Sequence, residues 1–98
     1  MQIVYTKKFV SEFKKLPKNI QLLAIEKEKI FRKNPFSPKL KTHKLTGKLK
    51  GNLAFSINYS YRIIFVLENK NEAWFLAIGT HDIYKGWEDS LTSFAMTP

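Results

Sequence analysis

The sequence predicts an α+β domain in which an N-terminal strand and a two-helix hairpin pack on an antiparallel sheet. Apolar residues recur at helical spacing in the N-terminal third. From Leu53 onward the pattern changes to strand-like runs, and short polar turns separate those runs. Helices gathered on one face of such a sheet define the class.

The elements follow in order. "MQIVYT" is rich in β-formers, with Ile3 and Tyr5 alternating with other residues, and reads as a short strand. Thr6 then offers an N-cap. "KKFVSEFKKL" sets Phe9, Val10, Phe13 and Leu16 at helical spacing, with lysines opposite. The Leu16-Pro17 step interrupts this helix, and Pro17 suits the first turn of a second one. From Ile20, the residues Leu23, Ala24, Lys27, Ile30 and Phe31 fall on one stripe, and "NPFSP" ends it. "LAFSINYS" alternates Leu53, Phe55, Ile57 and Tyr59 against Ala54, Ser56, Asn58 and Ser60. "YRIIFVLE" and "EAWFLAIGT" are denser apolar runs, so the three segments form a meander. The far face of that sheet is expected to be partly open, with Ser56, Asn58, Ser60 and Arg62 directed to it. "GWEDSLTSFAMTP" offers a last short helix with Trp87, Leu91 and Phe94 on one side.

The 98 residues set one domain over 1–98, with 44% hydrophobic residues for a core. Cysteine is absent, which excludes disulfides and thiolate metal sites. No apolar run approaches the roughly 20 residues that span a bilayer, and the start lacks a secretory apolar core. A cytoplasmic protein with no membrane partner is the expectation. The net charge of +9 is uneven: residues 1–50 hold 14 Lys or Arg against 3 Glu, and residues 51–98 hold 3 against 5 acids. Lysines 39, 41, 44, 48 and 50 crowd one stretch that has no acid. Such asymmetry points to a polyanion, most often nucleic acid; the alternative is a solvated lysine-rich surface.

Three residues stand out for chemistry. Arg62 lies in "SYRIIF", an otherwise buried strand pattern. It either pairs with a carboxylate such as Glu68 or Glu72, snorkels, or holds a phosphate with its planar fork. His81 follows Gly79-Thr80 at the end of the third run, and Tyr84 is three residues on. An imidazole there is either a solvated turn residue or a proton-transfer group. His43, in "KTHKLTGKLKG", is either incidental to a basic loop or part of a site. No metal-ligand spacing, Walker pattern or glycine-rich phosphate loop is present, so neither a metal nor another cofactor is expected.

Residues 43–84, "HKLTGKLKGNLAFSINYSYRIIFVLENKNEAWFLAIGTHDIY", resemble the RelE/ParE toxin superfamily, and its RelE and YafQ-type branch in particular. Three motifs carry the likeness: "H-x-L-x-G-x-x-K-G", then "Y-R" followed by aliphatic residues and Phe, then an apolar strand ending in "G-T-H-x-x-Y". The family fold, a helical hairpin on a curved antiparallel sheet, agrees with the elements read above. The resemblance implies a toxin of a type II toxin–antitoxin module, a metal-independent endoribonuclease that cuts mRNA in the ribosomal A site. It implies a 2′-hydroxyl attack on the adjacent phosphate. By motif, His81 matches the general-acid position, Arg62 the phosphorane-stabilising arginine, and Tyr84 the aromatic that stacks or orients. His43 assists proton transfer or holds substrate, while Lys41, Lys44, Lys48, Lys50 and Lys85 grip ribosomal RNA. Implied partners are a cognate antitoxin, the ribosome and mRNA, with operator DNA reached only through the antitoxin complex.

The chain departs from the family where RelE has strand lysines, since Ser56 and Asn58 stand there. YafQ has an aspartate and a histidine where this chain has Ala54 and Ser56, so the general base stays unassigned. Two other readings remain open: a ParE-like binder that poisons gyrase without cutting RNA, and a decayed toxin that only binds its antitoxin.

Overall fold

The computed structural model describes residues 1–80 and 82. The final segment, with its expected half-helix and with His81, Tyr84 and Lys85, lies outside the described residues. The elements run β1 (Gln2–Tyr5), α1 (Lys7–Lys14), α2 (Lys18–Lys33), β2 (His43–Lys44), β3 (Leu53–Ser56), β4 (Arg62–Asn69) and β5 (Glu72–Gly79). Two 3₁₀ turns, Pro38–Leu40 and Gly47–Leu49, shape the basic connection.

The strands form one sheet in the order β1-β5-β4-β3-β2. β3, β4 and β5 make the expected antiparallel meander. β1 joins it parallel to β5, which makes the sheet mixed rather than wholly antiparallel. The register between β4 and β5 shifts between Ile64 and Phe65, and again between Leu67 and Asn69. Such bulges bend a strand and increase its twist.

Thr6 connects helix to sheet. Its Oγ1 accepts from Phe9 N at 3.0 Å, capping α1, and donates to Leu76 O at 3.1 Å. β1 ends opposite Phe75, four residues before β5 does. Past that point α1 serves the strand, and Ile78 N donates to Glu12 Oε1 at 3.0 Å. Lys8 Nζ holds the other oxygen of Glu12 at 2.8 Å.

The core lies between the helices and one sheet face. Phe31 of α2 is fully buried among Phe55, Phe65 and Phe75, with ring centroids 5.2, 4.8 and 5.1 Å away. The stripe read on α2 holds: Ile20, Ala24 and Phe31 are buried, while Leu22 and Ile25 are exposed. On α1 only Phe9 is buried, and Val10 is exposed. The far sheet face is open only in part. Ala54, Ile64 and Ala77 pair laterally into one row, and all three are fully buried.

"LAFSINYS" is a strand only as far as Ser56. Asn58 Oδ1 accepts from Ser60 N at 2.9 Å and Tyr61 N at 2.8 Å, so a side chain organises a turn where alternation alone continued the strand. Tyr59, expected on the inward side, is 98% exposed.

Tyr5 donates from its hydroxyl to Glu28 of α2. Burial, and secondarily this carboxylate, push the phenol above its ordinary value of 10.0. The folded state therefore keeps the proton more firmly than the unfolded chain. The contribution is complete below the unfolded value and is lost as pH rises through the folded one. Between about pH 8 and about pH 11, the urea midpoint of wild type should fall further than that of Tyr5→Phe. Equal falls would show that Tyr5 contributes nothing to the alkaline limb.

Candidate functional site

β4 begins with Arg62, set laterally between Ser56 of β3 and Gly79 of β5. This row lies on the far sheet face, beside the buried row Ala54–Ile64–Ala77. At the end of the sheet the face opens into a cleft of about 790 Å³. Arg62, Lys27, Lys39 and Lys41 supply its cations, and among the described residues Asp82 is the lining carboxylate. Ser56, Asn58, Ser60 and Thr80 add hydroxyl and amide groups.

Each cation reaches the cleft from a different element. Lys27 stands on the apolar stripe of α2, one turn before Phe31, and is half-buried. Lys39 lies in the 3₁₀ turn, and Lys41 follows it with a left-handed φ of 53°. Few non-glycine residues hold that conformation. Arg62 is half-buried, and its Nε is buried with no hydrogen-bond partner among the described residues.

The carboxylate partners considered for Arg62 are ruled out by position. Glu68 lies six residues further along the strand, roughly 20 Å away at strand rise. Glu72 sits opposite Asn69, at that same remote end. A guanidinium nitrogen taken from water and left unpaired is costly, so its presence in the strand calls for a reason.

Of the residues picked from sequence, the fold brings Arg62 and Lys41 to one cleft. His43 pairs with Ala54 in β2, exposed, with its Nδ1 3.2 Å from Lys41 O. It shares the sheet face of Arg62, two strands across and one row along, roughly 12 Å by strand spacing and rise. Lys44 and Lys50 line a separate depression on the basic connection, and Lys48 is exposed in that segment. His81, Tyr84 and Lys85 lie outside the described residues. Thr80 and Asp82, the chain neighbours of His81, both line the cleft.

Lys27, Lys39 and Asp82 were not picked as site residues from sequence. A signal existed for Lys27, a lysine on an otherwise apolar stripe, and Lys39 opens the acid-free lysine stretch. Asp82 carried none, because its place depends on where the chain runs after β5. Among the described residues, no group of three or more His, Cys, Asp or Glu side chains is set to hold a metal ion. No described helix is long and apolar enough to cross a membrane.

No protein-family model and no curated protein matches the sequence. Solved structures do. A YoeB/ParE toxin from Agrobacterium tumefaciens is 14% identical, with a TM-score of 0.71 over 83% of this chain and 99% of its own. YafQ from E. coli is 20% identical, with a TM-score of 0.65 over 85% and 96%. The archaeal RelE of a RelE–RelB complex from Pyrococcus horikoshii is 21% identical, with a TM-score of 0.65 over 81% and 92%. The fold is thus shared across much of each chain. The chain has the fold of these YoeB/ParE, YafQ and RelE toxins.

Proposed function

We propose that the chain is the toxin of a type II toxin–antitoxin module, and that it is a ribosome-dependent, metal-independent endoribonuclease. The observation that carries this reading is Arg62, a half-buried arginine whose Nε has no partner among the described residues, in a cleft holding three lysines. Phosphate is the ligand that such a fork and such a charge excess suit.

The reaction needs a proton acceptor, a cation on the developing phosphorane charge and a proton donor. The 2′-hydroxyl loses its proton and attacks the adjacent phosphorus. The bond to the 5′-oxygen breaks, leaving a 2′,3′-cyclic phosphate and a 5′-hydroxyl. Arg62 stabilises the equatorial oxygens, and Lys27, Lys39 and Lys41 hold the flanking phosphates. Asp82, a carboxylate at the cleft, is the acceptor this reading assigns in place of His43. His81, bonded in sequence to Thr80 and Asp82, is the donor to the leaving oxygen, and Tyr84 orients the substrate. Lys44, Lys48, Lys50 and Lys85 contribute sequence-independent attraction to ribosomal RNA.

Some structural neighbours are toxin–antitoxin complexes, among them RelE–RelB from P. horikoshii and YoeB–YefM from Staphylococcus aureus. By analogy this chain binds an antitoxin that covers its basic surface.

The test is to induce the protein in a bacterial host and map 5′ ends on translated and untranslatable copies of one message. Cuts confined to the translated copy are expected. Growth arrest without cuts would replace this reading with the gyrase-binding one. No arrest would leave a protein that only binds its antitoxin.

A further inference from the structure

The proposed chemistry leaves the most exposed aromatic of the described residues unused. Tyr59 lies at the tip of the β3–β4 turn, 98% exposed, and lines the same cleft as Arg62, Lys39 and Lys41. A tyrosine normally covers part of its ring against neighbours. Its backbone, in contrast, is firmly held. Ile57 N donates to Tyr61 O at 2.9 Å, and Asn58 Oδ1 ties down Ser60 N and Tyr61 N. Ile57 is buried in the core and Tyr61 packs against it, so the turn is anchored on both sides of its tip. The ring has two side-chain torsions left to fix, so little freedom remains to be lost on contact.

We propose that Tyr59 is a base-stacking platform for single-stranded RNA held in the cleft. The inference rests on the nucleic-acid reading of the cleft and adds a contact to the bases. A cationic groove that tracks phosphates, with an aromatic face for a splayed base, is the general means of holding single strands. The lining favours RNA over a protein partner. Four cations stand against one carboxylate among the described residues, the chain neighbours of Tyr59 are Asn58 and Ser60, and Ile57, the aliphatic residue of the lining, is buried in the core.

The experiment uses the purified full chain and a short single-stranded RNA, 2′-O-methylated so that it cannot be cut. A strand of the same length and phosphate count without bases is the control. Affinities are read by fluorescence anisotropy for wild type, Tyr59→Ala and Tyr59→Phe. Wild type should prefer the base-bearing strand by about tenfold, the scale of one stacked base. Tyr59→Ala should bind both strands at the abasic level, and Tyr59→Phe should match wild type. Urea midpoints should coincide, because the ring is exposed. Equal losses on both strands, or no loss, would overturn the stacking role. If wild type binds both strands equally, the cleft reading stands and the stacking alone is wrong. If it binds neither, the nucleic-acid reading fails and Tyr59 falls with it. Weakened antitoxin binding with an intact base preference would assign Tyr59 to the protein partner and overturn the proposal.

Discussion

Arg62→Ala is expected to lower the rate of cleavage on translating ribosomes by about 100-fold or more while leaving the fold as stable as before. The first half follows from the role assigned to the guanidinium. Removing one donor aimed at a developing oxyanion typically costs 10²–10³ in rate. The second half follows from the absence of a partner. Nε of Arg62 is buried without a hydrogen bond among the described residues, so truncation removes an unsatisfied group rather than a bond. Most core-adjacent substitutions lower stability, so full loss of activity with an unchanged or higher urea midpoint would identify a residue kept for function. Arg62→Lys retains charge but loses the planar fork, and should keep the salt dependence of RNA binding without restoring cleavage. A large drop in the midpoint of Arg62→Ala would show that the arginine serves the fold. Undiminished cleavage would remove it from the site.

Phe31→Ala should cost about 3–5 kcal/mol, the range for emptying a fully buried phenylalanine site. Domains of this size hold about 5–15 kcal/mol in total, so the variant should be only marginally folded. The reason is geometric. The Phe31 ring meets Phe55 of β3, Phe65 of β4 and Phe75 of β5, so one side chain fixes α2 against all three meander strands. Lys27, one helical turn earlier, depends on the same seat. RNA affinity should therefore weaken in Phe31→Ala even under conditions where the helices persist. Phe31→Leu, which refills most of the volume, should recover a large part of both. A stability loss below about 1.5 kcal/mol would mean that the aromatic cluster can collapse around the cavity.

The helices and the meander were legible because each is specified locally. Thr6 caps α1 as its residue type suggests, and the stripe from Ile20 to Phe31 turns inward as its spacing requires. The end of β3 was misread because Tyr59 continues an apolar alternation that Asn58 breaks through its side chain. Two pairings were out of reach. β1 lies against β5 across nearly the whole sequence, and β2 is a two-residue strand inside a lysine-rich loop. Arg62 was singled out correctly as an oddity in a buried pattern. Which groups face it depends on how α2 packs on the sheet and where the chain runs after β5, so Lys27 and Asp82 came together with it only in three dimensions.

The way α1 meets β5 also governs how this chain behaves towards other strands. An outer strand of a sheet is a template, and any segment with free amides can add to it. β1 covers half of β5, and the hydroxyl of Thr6 and the carboxylate of Glu12 occupy Leu76 O and Ile78 N beyond it. At the opposite border, β2 is two residues long and carries His43 and Lys44. The border strands themselves are short, four residues in β1 and two in β2, so neither border offers a long row for further copies to add to. A partner strand added to β5 beyond the end of β1 would have to displace α1 from Ile78, exchanging a charge-assisted bond for an ordinary one.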